Sequence, residues 1–316
     1  MKAIVIRQYG SKEVLELAEV PDPEPEDDEL LVRIHAFAIN PIDWKIRKGV
    51  ARWFMRKKFP IILGQDFSGE VVSVGSQVGD YEIGDRVFGA VSSLRGEGTY
   101  AELIAVPAKN VATLPNNMSF LEAAAIPTAG LTALVALRDM GGLQTGMDVL
   151  INGAAGGVGH YAVQIAKFLG AYVTAIAGPD NQDFVTDLGA DEAIDYTQAD
   201  YTKLPSRYDV IFDTIGNRHF RESIPVLQPR GIFISTMPSP SQYLQMALTR
   251  FSRKKSKTFL LQVEEDDLWD LKKMAEADQL RSHVEHIFSL EQIAEAQALS
   301  ESHHLRGKIV IQMPTP

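Results

Sequence analysis

The spacing of apolar positions divides this chain into two kinds of stretch. Up to about residue 118, apolar residues fall in short runs punctuated by Gly and Pro. Ala3 to Ile6, Glu29 to Ala38, Gly69 to Val74, Asp85 to Ala90 and Tyr100 to Val106 predict strands. Pro21-Asp-Pro-Glu-Pro25 separates the first two, since proline has no N–H to give a sheet ladder. Gly75 to Gly84 predicts a turn region. Short strands at this spacing predict a compact barrel-like domain.

Beyond residue 118 the period lengthens. Ser119-Phe-Leu-Glu122 reads as a capping box opening a helix through Ala125 that stops at Pro127, and Thr128 to Met140 forms the next helix. Five apolar runs then alternate with helical stretches: Val149–Asn152, Tyr172–Ala177, Ala193–Asp195, Val210–Asp213 and Gly231–Ser235. That alternation predicts a parallel sheet with helices on its faces. Phe259–Val263 is the sixth candidate strand, completing a doubly wound sheet. The tail from residue 267 holds a helix, Leu268–Ala277, a second from Ser289, and a strand, Lys308–Gln312. It is too short for a core of its own and must pack on another domain.

Between the strand at 149 and the next at 172 lies Asn152-Gly-Ala-Ala-Gly-Gly-Val-Gly-His160. A strand, a glycine-rich turn, a helix and a second strand in this order are the context of a dinucleotide site. Gly156 lets the backbone approach a pyrophosphate, Gly159 lets helix and strand pack closely, and the helix N-terminus faces the anion. The fit to G-x-G-x-x-G is imperfect, with Ala154 at the first glycine. At the end of the second strand, where a carboxylate would hold the ribose 2′-hydroxyl of NAD, stands Gly178, followed by Pro179-Asp180-Asn181. The missing acid favours NADP(H), although no Lys or Arg lies nearby in sequence; NAD(H) stays possible through Asp180, which reads first as a solvated turn or the N-cap of the next helix.

Composition narrows the picture. The 316 residues exceed the roughly 250–300 at which single cores stop growing, so two domains are expected. A formal net charge of −10 leaves no field for a nucleic-acid backbone, and the densest cationic run, Arg250 to Lys257, reads as a solvated loop or helix end. No apolar run reaches the roughly 18 residues of a membrane span, and Met1 to Ile6 enters a strand without a signal-peptide core. Cysteine is absent, which excludes disulfides and thiolate-bound metals and fits a cytoplasmic protein.

Several segments stand out together: Asn40-Pro-Ile-Asp-Trp-Lys-Ile-Arg-Lys-Gly49, Leu63-Gly-Gln-Asp-Phe-Ser-Gly-Glu-Val-Val72, Gly84-Asp-Arg-Val-Phe-Gly89, Gly98-Thr-Tyr-Ala-Glu102, Ala124-Ala-Ile-Pro-Thr-Ala-Gly-Leu-Thr-Ala133, the glycine-rich turn, Leu188-Gly-Ala-Asp191 and Arg306-Gly-Lys308. In this order they resemble the zinc-independent medium-chain dehydrogenases/reductases of the quinone oxidoreductase group. The resemblance implies an α/β protein. A GroES-like β-barrel catalytic domain (1–118 with 267–316) accompanies a Rossmann domain (119–266) with a six-stranded parallel sheet, and the active site lies between them. It implies a homodimer seam at Phe259–Val263. Where zinc-dependent relatives place catalytic zinc ligands, this chain has Asn40, Gln65 and Pro127, and no four-cysteine lobe follows Ala90. No metal is therefore expected; His303 and His304 read as surface residues.

Without a Lewis acid, hydride addition to a conjugated system is the fitting chemistry, because charge delocalises onto a distant oxygen. The expectation is an NADPH-dependent reductase of a quinone or α,β-unsaturated carbonyl, with an enoyl-thioester reductase or a cofactor-binding protein of RNA-binding or structural role as alternatives. Asn40 is expected at substrate or nicotinamide ribose, or else as an amide capping the turn before Pro41. Ile42 is expected as an apolar wall, with Asp43 anchoring the loop and Trp53 and Phe54 filling the barrel core. By resemblance, cofactor contacts come from Thr128, Ala155, Gly156, Gly157, Val158, Gly178, Asn181, Tyr196, Thr214, Thr236 and Lys308. Thr128 is shared with the substrate, and Tyr196 reads equally as a strand-end aromatic.

Overall fold

A computed structural model describes residues 1–50, 52, 58–92, 98–302 and 305–314. Trp53, Phe54, His303 and His304 lie outside the described residues. The chain divides into two compact units, Met1–Thr128 with Gln262–Pro316, and Ala129–Leu261.

In the first unit, among the described residues, a seven-stranded sheet carries Glu29–Ala38 at its centre. One side continues to Asp66–Val74, Arg86–Ala90 and Val111–Thr113, the other to Lys308–Gln312 and Val284–Ser289. Leu103–Pro107 also pairs with Glu29–Ala38, and a smaller sheet joins Glu16–Glu19, Lys2–Ile6 and Ile61–Ile62. Alternate residues of the long strand, Leu30, Val32 and Ile34, enter one core with Phe67, Tyr100, Ile104 and the tail residues Ile309 and Ile311. The tail strand pairs antiparallel with Ala36 to Ala38, so the last fifty residues complete a sheet begun near the start. The helix Phe120–Ala124 begins as its capping box predicts: Ser119 N–H donates to the Glu122 carboxylate at 2.9 Å, and Glu122 N–H to Ser119 Oγ at 3.3 Å. It packs on Ala36, Ala38 and Val310 and so stays with this unit.

In the second unit six parallel strands run in the spatial order 192–195, 172–177, 148–152, 208–213, 227–235 and 255–258. Numbered within the unit this is 3-2-1-4-5-6, the dinucleotide-binding order, whose reversal lies beside the first strand. Central strands are apolar on both faces, as burial on both sides requires: Val149, Leu150 and Ile151 are fully buried.

The sixth strand is Lys255–Thr258 rather than Phe259–Val263. An edge strand needs only one buried face. Ser256 and Thr258 turn inward while Lys255 is exposed, and Lys257 reaches the Met140 carbonyl at 2.6 Å. The end of the cationic run is therefore strand, not loop, and Phe259–Val263 lies outside any strand, where the chain leaves the unit after Leu261. A seam through an apolar Phe259–Val263 strand is corrected accordingly. Among the described residues no helix is long and apolar enough to cross a membrane.

Candidate active site

The site residues fall into one group in each unit. In the second unit, the strand Asp148–Asn152 ends at Gly153, whose φ of 82° is the left-handed conformation that glycine adopts without strain. Gly153 is thus the residue of the sharp turn, one position before the Ala154 that the motif suggested. Gly153 and Ala154 N–H groups both donate to Ile176 O, at 3.1 and 3.0 Å, which ties the turn to the second strand. A Cβ on Gly159 would lie 2.0 Å from Gly153 O and 2.7 Å from Ala154 Cα, so only glycine lets the helix Gly159–Phe168 approach. A Cβ on Gly156 would meet only Gly153 O, at 3.4 Å, leaving that direction open. Gly157 and Val158 are partly exposed, and Ala155 is buried. The Gly156 carbonyl is held from the helix side by His160 through its N–H and its ring Nδ1, each at 3.0 Å. An open direction over a helix N-terminus suits a pyrophosphate: oxygen atoms can approach the backbone, and the dipole favours their charge.

The carboxyl ends of the neighbouring strands brace this turn. Thr214 Oγ1 donates to Asn152 O at 2.8 Å, and Thr236 Oγ1 to Thr214 O at 3.2 Å, so both hydroxyls hold backbone. Buried Asp213 accepts from Asn152 Nδ2 at 2.9 Å and from the N–H groups of Ile215 and Gly216 at 3.2 and 3.1 Å. Burial raises its pKa against those donors. Asn152 and Asp213 were missed by sequence reasoning, although an acid ending an apolar strand just before Gly216 was a readable signal. Gly178 has an ordinary extended backbone, and a Cβ there would stand 3.4 Å from the ring of Tyr196, which is 59% exposed. Asn181 N–H bonds to Gly178 O at 3.0 Å. Gly178, Asn181 and Tyr196 therefore form one surface at the end of the second strand.

The first unit holds a buried polar cluster. Asn40 follows the long strand and caps the helix Pro41–Arg47, where Asp43 reaches back to accept its N–H at 2.8 Å. The Asn40 amide donates through Nδ2 to Asp66 Oδ2 at 2.9 Å and accepts at Oδ1 from Lys308 Nζ at 2.7 Å. Lys308 also contacts Asp66 Oδ2 at 3.3 Å, and Thr128 N–H donates to Asp66 Oδ1 at 2.8 Å. Three expected residues, Asn40, Thr128 and Lys308, thus meet around Asp66, which sequence reasoning passed over in favour of Gln65. Ile42 is half-buried and packs against the core.

A second layer extends behind Asn40. Tyr100 donates to Asp43 Oδ2 at 3.0 Å, Gln297 Nε2 lies 3.4 Å from the Tyr100 oxygen, and fully buried Arg47 donates to Gln297 Oε1 at 2.8 Å and pairs with Glu301. Asp43 Oδ1 has no partner among the described residues. Complete burial pushes the Asp43 carboxyl up to about 7, against the hydrogen bonds from Asn40 and Tyr100. Burial likewise raises the Tyr100 phenol, helped by the Asp43 charge.

Comparison with known proteins agrees with this architecture. Residues 26–116 match the alcohol dehydrogenase GroES-like domain, and residues 188–311 match a family described as zinc-binding dehydrogenase. The chain is 36% identical over 324 residues to a chloroplast envelope quinone oxidoreductase homolog of Arabidopsis thaliana, covering 99% of this chain and 98% of the relative. It is 34% identical to the NADPH-dependent alkenal/one oxidoreductase, chloroplastic, of the same plant, covering 98% and 79%. The quinone oxidoreductase structure from Coxiella burnetii superposes with a TM-score of 0.92 at 35% identity over 99% of each chain.

The zinc in that family description does not fit these residues. The chain has no cysteine. Asn40 offers a neutral amide already bonded to Asp66 and Lys308, and the Lys308 ammonium puts a positive charge where a metal cation would be repelled. Among the described residues no group of three or more His, Asp or Glu could hold a metal ion. Near end-to-end identity above 30%, the matched barrel domain and the 3-2-1-4-5-6 sheet establish that the chain belongs to the medium-chain dehydrogenase/reductase family, as an oxidoreductase of its quinone oxidoreductase group.

Proposed function

We propose that the protein is an NADPH-dependent, metal-independent reductase acting on a quinone or an α,β-unsaturated carbonyl. The observation that carries this reading is the Gly153–Gly159 turn, open above Gly156 and closed at Gly159, on a sheet of dinucleotide-binding order. The names of the two plant relatives support the substrate class.

Gly156, Gly157 and Val158 would hold the pyrophosphate by backbone, with Ala155 packed beneath. The Thr214 and Thr236 loops would line its carboxyl-edge side. Gly178, Asn181 and Tyr196 would receive the adenosine end, where the absence of a carboxylate at 178 suits a 2′-phosphate. When bound, the reduced nicotinamide supplies the hydride. Asn40 and Thr128 orient the acceptor, and Ile42 gives it an apolar wall; proximity and orientation are the main catalytic terms. The absence of cysteine supports a cytoplasmic setting. For assembly we favour a homodimer seated on the free edge of Lys255–Thr258. That edge has Leu244, Leu248 and the 93% exposed Phe251 nearby in the chain.

The test is a screen of quinones and enones with NADPH and NADH, following loss of reduced-nicotinamide absorbance, alongside light scattering for the oligomeric state. Turnover of saturated ketones, with quinones and enones inert, would overturn the substrate reading.

A further inference from the structure

The buried ammonium of Lys308 is only partly accounted for by its surroundings. It is 4% exposed on the strand Lys308–Gln312. An ammonium buried this far needs partners for its three N–H groups, or it loses hydration without return. Two N–H groups are engaged: the short contact goes to Asn40 Oδ1 at 2.7 Å and the longer one to Asp66 Oδ2 at 3.3 Å. The third has no partner among the described residues.

The pair also differs from a structural salt bridge optimised for itself. Asp66 directs its stronger bonds elsewhere, accepting at 2.9 Å from Asn40 Nδ2 and at 2.8 Å from Thr128 N–H at the start of the helix Pro127–Leu134. The carboxylate therefore fixes three donors around one point, and the ammonium is the only cation among them. Such an arrangement locks the Lys308 head group while leaving one of its protons undirected. In an active site without a metal, a preorganised donor aimed at developing negative charge is the group that catalysis needs.

We propose that Lys308 is a catalytic residue whose third N–H hydrogen-bonds the carbonyl oxygen of the unsaturated substrate and transfers its proton there. The proposal rests on the enone-reductase reading and replaces the expected contact of Lys308 with the cofactor. The electrons balance as follows. Hydride forms a new C–H bond at the β-carbon, the former C=C pair becomes the Cα=C bond of the enolate, and the carbonyl π pair moves onto oxygen. That oxygen takes the proton as the Nζ–H bond breaks, giving an enol and a neutral amine. Solvent water returns a proton to Nζ, and the enol tautomerises to the saturated carbonyl. The substrate is reduced and the nicotinamide oxidised.

The experiment uses the full-length protein with NADP⁺ and 4-nitrophenol, whose phenolate mimics the enolate oxygen and absorbs differently from the phenol. Wild type is expected to bind the phenolate about tenfold more tightly than the phenol, and Lys308→Met to lose that preference. Lys308→Met should also lower kcat/KM for an enone about 100-fold, while NADPH affinity by tryptophan fluorescence stays within about twofold. Should Lys308→Met not fold, Lys308→Met with Asp66→Asn removes both charges together and carries the same readouts. Retained phenolate preference in a folded Lys308 variant would overturn the proposal, as would its absence in wild type. Weakened NADPH binding with unchanged enone turnover would return Lys308 to the cofactor and overturn it equally. If wild type reduces no enone yet needs Lys308 to hold the phenolate, the enone reading fails and the assignment of Lys308 to an oxyanion stands.

Discussion

The two groups of site residues are built on opposite principles. Around Gly153 to Gly159 the chain presents mainly backbone: four of seven consecutive residues are glycine, Ala154 and Ala155 are buried, and only Val158 adds a partly exposed side chain beside the helix end. Around Asp66 the contacts rest mainly on side chains brought from far apart, with Lys308 and Asn40 separated by 268 positions and Thr128 adding a backbone N–H. A backbone site tolerates changes nearby unless they add bulk. A side-chain site fails when any one member leaves its partners buried and unsatisfied. Substitutions in each should therefore fail in different ways, one losing ligand and keeping the fold, the other losing stability first.

The largest effect is expected from Asp66→Ala. It strips Asn40, Thr128 and Lys308 of their shared acceptor and leaves a buried ammonium, at roughly 3–5 kcal/mol in stability, measurable by urea denaturation. A loss below about 1 kcal/mol would mean that the cluster is not the structural centre of its unit.

Asp43 gives a pH-dependent version of the same test. Its folded-state pKa of about 7 lies above its ordinary value of 3.8, so the native state holds the proton across that window. Stability is highest on the acid side and falls as pH rises through the window, reaching its full penalty above pH 7. Asp43→Asn keeps an acceptor for Asn40 N–H and Tyr100. It should flatten the fall, by about 2–4 kcal/mol between its ends, in Tm against pH. Parallel slopes in wild type and variant would remove Asp43 as the cause.

On the backbone side, Gly156→Val is expected to weaken cofactor binding about 100-fold, or 2.7 kcal/mol. The melting point should barely change, because its Cβ meets only Gly153 O at 3.4 Å. Gly159→Ala should do the reverse and unfold more readily, its Cβ falling 2.0 Å from Gly153 O. Equal loss of stability in both would erase the contrast between the two glycines.

This contrast also governs what could be read in advance. The glycine-rich turn was legible because its parts are contiguous, and the strands Glu29–Ala38, Tyr172–Ala177 and Lys308–Gln312 were legible because their pattern is local. Asp66, Tyr100, Gln297 and Arg47 were not. Each looks ordinary in its own neighbourhood, and only folding brings Arg47 to Gln297 across 250 positions. The sixth strand failed for another reason. Lys255-Ser-Lys-Thr258 carries no large apolar side chain, and the apolar run after it drew the prediction four residues too far.

A smaller effect is expected at the adenosine end. Gly178→Asp places a carboxylate beside Tyr196 and should shift the kcat/KM ratio about tenfold toward NADH, or 1.4 kcal/mol. An unchanged ratio would mean that position 178 does not meet the ribose. The smallest effect, none, is expected from metal removal: dialysis against a chelator should leave activity unchanged, and one tightly held zinc per chain by elemental analysis would contradict the residue argument.

The pairing of the tail strand with Ala36 to Ala38 has a consequence for synthesis on the ribosome. Translation proceeds from the N-terminus, and domains fold as they emerge. Residues 129–261 form a contiguous unit that can close while the tail is still unmade. Until residues 297–312 have emerged, Glu29–Ala38 lacks one neighbour, Arg47 lacks Gln297 and Glu301, and Asp66 lacks Lys308. The polar cluster is thus completed after residues 129–261 have been made. A chain terminated before residue 308 would carry the Gly153–Gly159 turn but no Lys308, and Asp66 would lack the ammonium that it contacts in the complete cluster.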